Sequence, residues 1–149
     1  MIDRFEAFVS GITICYKYVQ RIKSAEMTEF GLKGTHVMVL FHLNRHGEGL
    51  TATQLCTLCA EDKAAISRTL ADLVEKGYVC SPDDTGKRKY RALVQLTPAG
   101  EAVSEQIIAL ISQWVGTGGD GLTEQQRDTF YYALGVIANN LREEFPNKK

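Results

Sequence analysis

At 149 residues, 44% apolar and 23% charged, the chain has the size and make-up of a single globular domain (1–149), able to bury a core without disulfide or metal staples. No apolar run reaches the roughly 18 residues of a membrane span, and Met1-Ile2-Asp3-Arg4-Phe5-Glu6 lacks the basic head and apolar block of a signal peptide, so a cytoplasmic protein with no membrane partner is expected. Lys and Arg total 17 against 18 Asp and Glu, a formal net charge of −1, so bulk charge does not announce a nucleic-acid binder; only its distribution does.

From Ile2 to about Ala25, apolar residues recur at Phe5, Phe8, Val9, Ile12, Tyr16, Val19 and Ile22, a stripe along one side of a helix. A break follows at Phe30-Gly31-Leu32-Lys33-Gly34. Thr35 is the expected N-cap of a second helix running to about His46. Val37, Met38, Val39, Leu40, Phe41 and Leu43 make that helix apolar on most sides, so it reads as central and buried, ended by Gly47-Glu48-Gly49. A short helix from Ala52 to Cys59 is anchored by Leu55 and Leu58. Ala60-Glu61-Asp62 turns the chain into a longer helix to about Lys76, with Ile66, Leu70, Leu73 and Val74 inward and Gly77 as a left-handed cap. Two helices joined by so short a turn form a helix-turn-helix.

Tyr78-Val79-Cys80-Ser81 reads as a strand, Pro82-Asp83-Asp84-Thr85-Gly86 as a turn, and Tyr90 to Leu96 as the returning strand. Thr97 and Pro98 open a helix as N-cap and first residue. It carries Val103, Ile107, Leu110, Ile111 and Trp114, and the glycine-rich stretch from Gly116 to Gly121 is expected to be a loop. Thr123-Glu124-Gln125-Gln126 is a capping box. It starts a last helix with Phe130, Leu134, Ile137, Leu141 and Phe145 on one face. The expected fold is mainly α with a small β-hairpin wing: a lobe at about 35–96, flanked by helices at about 1–25 and 98–146 whose apolar stripes need a partner. A second copy of the chain is the economical one.

The helix from Asp62 turns Lys63, Ala64, Ser67, Arg68 and Ala71 away from its core face. Small residues let a helix approach base edges, and Ser and Arg can bond bases or phosphates. The acids on that side, Asp72 and Glu75, come later. The plain alternative is an ordinary solvated face. The hairpin that follows argues against it, because Lys87, Arg88, Lys89 and Arg91 fill four of five positions with no acid among them. That is more charge than protection of a strand edge requires, and it suits phosphate contact or an arginine in a minor groove.

These residues resemble the MarR family of winged helix-turn-helix regulators. The resemblance lies in Asp62-Lys63-Ala64-Ala65-Ile66-Ser67-Arg68-Thr69-Leu70, then Leu73, then Glu75-Lys76-Gly77-Tyr78-Val79, and after the hairpin Leu96-Thr97-Pro98-Ala99-Gly100. With the flanking helices it extends over nearly the whole chain. It implies a winged helix-turn-helix with N- and C-terminal dimerisation helices, acting as a homodimer. It implies two recognition helices in successive major grooves of a pseudo-palindromic operator in double-stranded DNA, and a small-molecule effector or oxidant that alters DNA affinity. By motif position the resemblance assigns Lys63, Ala64, Ala65, Ser67, Arg68 and Thr69 to the recognition helix, and Thr53 and Gln54 to the start of the preceding one. The family wing usually carries Asp-x-Arg. Arg88-Lys89-Tyr90-Arg91 has no Asp two residues before either Arg, so Arg88, nearer the tip, is expected to reach the groove, with Arg91 packing in the wing as the alternative.

Cys56-x-x-Cys59 lacks the second pair that zinc usually requires, and both cysteines are expected as small core residues. Redox sensing at Cys15, Cys56 or Cys59 is the competing assignment, although the helix from Thr35 to His46 lacks the tyrosines that accompany a peroxide-sensing cysteine in some family members. His42 and His46, four apart, have the spacing of a metal face without the intervening Glu of a zinc protease. For His36, core or cap duty is weighed against lining a ligand pocket. Gly116-Thr117-Gly118-Gly119-Asp120-Gly121 spells a dinucleotide fingerprint but has no strand before it. No metal, cofactor or catalytic residue is expected. The expected function is a DNA-binding repressor modulated by an effector. A winged-helix protein-interaction module, a thiol- or metal-responsive regulator of the same fold and a small enzyme are the alternatives.

Overall fold

The computed structural model describes residues 2–81 and 92–146. In chain order the elements are α1 (Ile2–Met27), a 3-10 turn (Thr28–Phe30), α2 (Gly34–Arg45), α3 (Ala52–Cys59), α4 (Lys63–Glu75), β1 (Val79–Cys80), β2 (Gln95–Leu96), α5 (Pro98–Gly118) and α6 (Glu124–Glu144). The described residues are thus mostly helical with one small antiparallel strand pair, the expected class. It forms two compact units, divided between Ala109 and Leu110. No described helix is long and apolar enough to cross a membrane.

In the first unit α2 is the central helix. It packs against α1, α3, α4 and β2, and Val37, Val39, Leu40 and Leu43 are at most 2% exposed. Around them lie Met27, Leu50, Leu55, Ile66, Leu73, Val79, Val103 and Ile107, all buried. α2 is capped two residues earlier than expected. Its N-cap is Lys33, not Thr35, because the buried His36 ring supplies the acceptor: the Lys33 N–H donates to His36 Nδ1 at 3.0 Å. Cap duty for His36 is what the structure shows.

The helix-turn-helix is closed by local chemistry. In α3, Thr51 Oγ1 accepts the Gln54 N–H (3.2 Å) while Gln54 Oε1 accepts the Thr51 N–H (2.8 Å), a reciprocal capping box. Ala60 takes the left-handed conformation at φ 54°, which reverses the chain between α3 and α4. Asp62 Oδ1 accepts the Ala65 N–H at 2.7 Å as the cap of α4. At the far end Gly77 has φ 74°. The Tyr78 and Gly77 N–H groups donate to the carbonyls of Leu73 and Val74 at 3.0 and 2.9 Å, the two bonds of a Schellman cap.

The hairpin base is tied to this cap. Val79 pairs with Leu96 and Cys80 with Gln95, and Leu50 adds a bridge to Val94. Thr97 caps α5 through the Gly100 N–H at 3.1 Å and donates its own hydroxyl to the Gly77 carbonyl at 2.6 Å. A Cβ at Gly100 would stand 1.9 Å from the Tyr78 carbonyl oxygen, so only glycine permits α5 to pass this close to the end of α4. Asn44 of α2 donates to Ser104 Oγ of α5 at 2.8 Å, a buried polar link in the same core.

Several sequence expectations change. Thr69 is buried at 7% exposure, whereas Leu58 (41%) and Val74 (54%) are exposed. Positions 66, 69 and 73 fall on one side of α4, and this side, not a stripe through Val74, meets the core. Helix α5 continues through Gly118, so Gly116–Gly118 are helical and the expected loop shrinks to a turn after them.

In the second unit α6 begins at a capping box, Thr123 with Gln126. Arg127 Nη2 donates to the Gly119 carbonyl at 2.9 Å and closes the turn. α6 buries none of its residues. Likewise α1, in the first unit, buries only Met27. Their exposed residues include Phe5, Phe8, Ile12 and Tyr16 on α1, and Phe130, Ile137 and Leu141 on α6 with Phe145 as its C-cap.

Candidate nucleic-acid interface

The core side of α4 is committed to Ile66, Thr69 and Leu73. The opposite side is thereby turned outward: Lys63, Ala64, Ser67, Arg68 and Ala71 are all exposed. Ala65 is half-buried, and Thr69, assigned by motif position to the recognition helix, faces the core. The outer face carries two short non-polar side chains, one hydroxyl and two cationic side chains, a surface that can lie close to another molecule and donate hydrogen bonds to it. The helix N-terminus is occupied in part, because the Asp62 carboxylate already takes the Ala65 N–H.

Thr53 and Gln54 are exposed in the first turn of α3. The side-chain oxygen of Gln54 is used by the cap, which holds that side chain at the start of α3 rather than leaving it free to swing. Lys87, Arg88, Lys89 and Arg91, with the Pro82–Gly86 turn and Tyr90, lie outside the described residues. The strands leading to and from them are β1 and β2, and the Thr97 hydroxyl ties that base to the end of α4.

Asp72 lies four residues after Arg68, one turn along the same side of α4. Its Oδ2 meets Lys33 Nζ at 2.6 Å and stands 3.5 Å from His36 Nε2. His36 is 0% exposed. Since its Nδ1 accepts the Lys33 N–H, the neutral ring carries its proton on Nε2, directed to the Asp72 side. Burial pushes the His36 pKa below its ordinary value, opposed by Asp72 and reinforced by Lys33 and Lys76. Lys33 holds the Asp72 carboxyl below the usual carboxylate range. Sequence inspection missed this cluster: Lys33 and Asp72 are 39 residues apart, and no local pattern joins them.

Cys56 and Cys59 are half-buried, and Cys15 and Cys80 are exposed. Burial, with Glu61 nearby, pushes the Cys59 thiol up to about 11. It therefore stays protonated near neutrality, the less nucleophilic state of a thiol. Among the described residues no group of three His, Cys, Asp or Glu side chains could hold a metal ion. His46 Nδ1 lies 3.5 Å from Glu48, and burial pushes the His42 pKa down.

Residues 30–89 match the model of the MarR family. The fold is similar to that of a MarR transcriptional regulator from Methanosarcina mazei Go1, at 21% identity over 94% of this chain and 92% of that one, with a TM-score of 0.80. It is also similar to S. aureus MepR in a DNA complex, at 16% identity over 91% and 97% of the two chains and a TM-score of 0.79. The reduced form of MarR from E. coli matches at 25% identity over 85% and 92%, with a TM-score of 0.66.

Proposed function

With a winged helix-turn-helix of the MarR family as its premise, we propose that this chain is a sequence-specific DNA-binding transcriptional regulator. It acts as a homodimeric repressor without enzymatic activity. The observation that carries this reading is the outer face of α4, where Ala64, Ser67, Arg68 and Ala71 stand exposed on a helix whose other side is locked into the core. Arg68 and Ser67 read base edges, and Ala64 and Ala71 give the clearance for that approach. Ala65, half-buried, contributes backbone proximity rather than a contact of its own. Lys63 and the wing residues Lys87, Arg88, Lys89 and Arg91 engage phosphates, with Arg88 the one that enters the minor groove. Thr53 and Gln54 lie near the DNA backbone as the preceding helix crosses it.

The exposed apolar faces of α1 and α6 support homodimerisation through the terminal helices, about 1–25 and 98–146. Two copies related by a two-fold axis would read an inverted repeat with half-sites about one helical turn apart. A small-molecule effector that binds one arrangement of the dimer better than another shifts the DNA-competent population.

Selection of binding sites from a pool of random duplex DNA tests this function, with Arg68→Ala as the control. The expected result is an enriched inverted repeat whose binding Arg68→Ala weakens by about 1–3 kcal/mol per half-site. No enrichment from reduced, dialysed protein would overturn it in favour of a protein-interaction module.

A further inference from the structure

The His36 cluster is not used in base reading, yet it touches the helix that carries it. We propose that Lys33, His36 and Asp72 form a tether that positions the recognition helix α4 for DNA, and that acidification releases it. This rests on the DNA-binding reading of α4 and adds a regulatory device to it.

Three features argue for the tether. Asp72 sits one turn from Arg68 on the same side of α4, where a free carboxylate would repel phosphate; Lys33 at 2.6 Å neutralises it. The Lys33 side chain is 71% exposed, so this ion pair alone holds little. The buried ring of His36 caps α2 through Nδ1, and its Nε2, which has no hydrogen-bond partner, lies 3.5 Å from the Asp72 carboxylate, an electrostatic contact in a site closed to water. One imidazole thus lies between the start of the central helix and the recognition helix.

That arrangement requires a neutral ring. A second proton would sit on Nδ1, facing the Lys33 N–H, donor against donor, and the α2 cap would be lost. The new charge would also lie in a site that is 0% exposed. The charged groups acting on the ring are Asp72 and Lys76 from α4 and Lys33 from the turn before α2; on α1, Lys23 lies alongside Gly34. One anion faces these cations, and Lys33 already pairs with it. Protonation therefore favours a conformation in which the ring reaches water and the start of α2 parts from α4. DNA affinity then falls with acidity. The sign is diagnostic, since protonating a histidine that merely contacts phosphate raises affinity for a polyanion.

The test measures affinity for the selected inverted repeat at constant ionic strength, at about pH 7.5 and about pH 5.5, for the wild type, His36→Asn and Asp72→Asn. Asparagine offers an oxygen to the Lys33 N–H in place of Nδ1 and does not titrate. The wild type should lose about three- to fivefold on acidification, since one unit of pKa difference between bound and free protein reaches its full tenfold only well below both values. His36→Asn should stay within about twofold of its own value at the higher pH. Asp72→Asn should bind more weakly at both pH values, although removing a negative charge alone would tighten binding. Melting curves taken alongside verify that each variant is folded. Wild-type affinity that is flat or rises with acid, or Asp72→Asn binding more tightly, overturns the proposal. A wild type that selects no duplex at the higher pH overturns the DNA-binding reading and the positioning role together. In that event the ring's nitrogen resonances in the free protein decide the tether itself. A titration that moves with Asp72→Asn supports it; an ordinary one, indifferent to Asp72, overturns it.

Discussion

Helices α4 and α6 are both regular and amphipathic, and each begins at a side-chain cap, Asp62 in one and the Thr123–Gln126 box in the other. They differ in what their apolar faces meet. The 13 residues of α4 bury Ile66, Thr69 and Leu73, whereas the 21 residues of α6 bury none. Capping and periodicity suffice to start a helix and orient its stripe, but most helical stability in proteins comes from what the stripe packs on. For α4 that surface is α2 and α3 of the same chain. For α6, and for the exposed length of α1, the surface is the one the proposed dimer would supply.

The contrast can be broken by truncating matched leucines. Leu73→Ala should cost about 2–5 kcal/mol in chemical denaturation, at any protein concentration. Leu141→Ala on α6, where Leu141 is 47% exposed, should change the stability of a dilute monomer by no more than about 0.5 kcal/mol. It should destabilise concentrated protein measurably more, because the proposed dimer would bury that side chain between copies. Equal effects on both variants at all concentrations would erase the distinction.

A smaller effect tests the capping half of the argument. Asp62→Ala should lower stability by about 1 kcal/mol, since it frees the Ala65 N–H at the start of α4. Denaturant midpoints for this variant and for Asp62→Asn, which keeps an acceptor, would separate the cap from the charge.

Acid should act on the first unit through the buried His36 and the half-buried His42. Burial pushes both His36 and His42 below the ordinary value of 6.5. Above that pH both states are unprotonated and no penalty exists. Below it the unfolded chain takes up protons that the folded chain resists, so stability falls as pH drops from 6.5 toward the lowered folded values. His36→Asn should flatten part of that slope in a pH series of melting curves. Asp72, held low by Lys33, adds a further loss only below the ordinary carboxylate range. Least of all, Val74→Ser should shift stability by no more than about 0.5 kcal/mol, because Val74 is 54% exposed in spite of its place in the apolar pattern.

Much of the fold is legible in the chain because its signals are short-range. The bounds of α3, the Thr97 cap with Pro98, the Thr123 box and the left-handed Gly77 all rest on residues within five positions of one another, and the structure contains each of them. The outer face of α4 is legible for the same reason: four exposed residues, Ala64, Ser67, Arg68 and Ala71, follow helical spacing. Motif position places Thr69 in the recognition helix without saying which way it points, and its side chain is buried. The start of α2 was misplaced because its cap is an imidazole rather than the hydroxyl of Thr35.

The order of the elements, the caps of α5 and α6 and the polar side of α4 follow from the chain alone, since backbone sterics and neighbouring side chains settle those locally. Only the tertiary structure decided that Thr69 faces inward while Leu58 and Val74 face out, that Leu50 pairs with Val94, and that Lys33 and His36 meet Asp72. Each of these depends on which distant surfaces pack together, and a stripe of apolar residues specifies a need for burial without naming what will cover it.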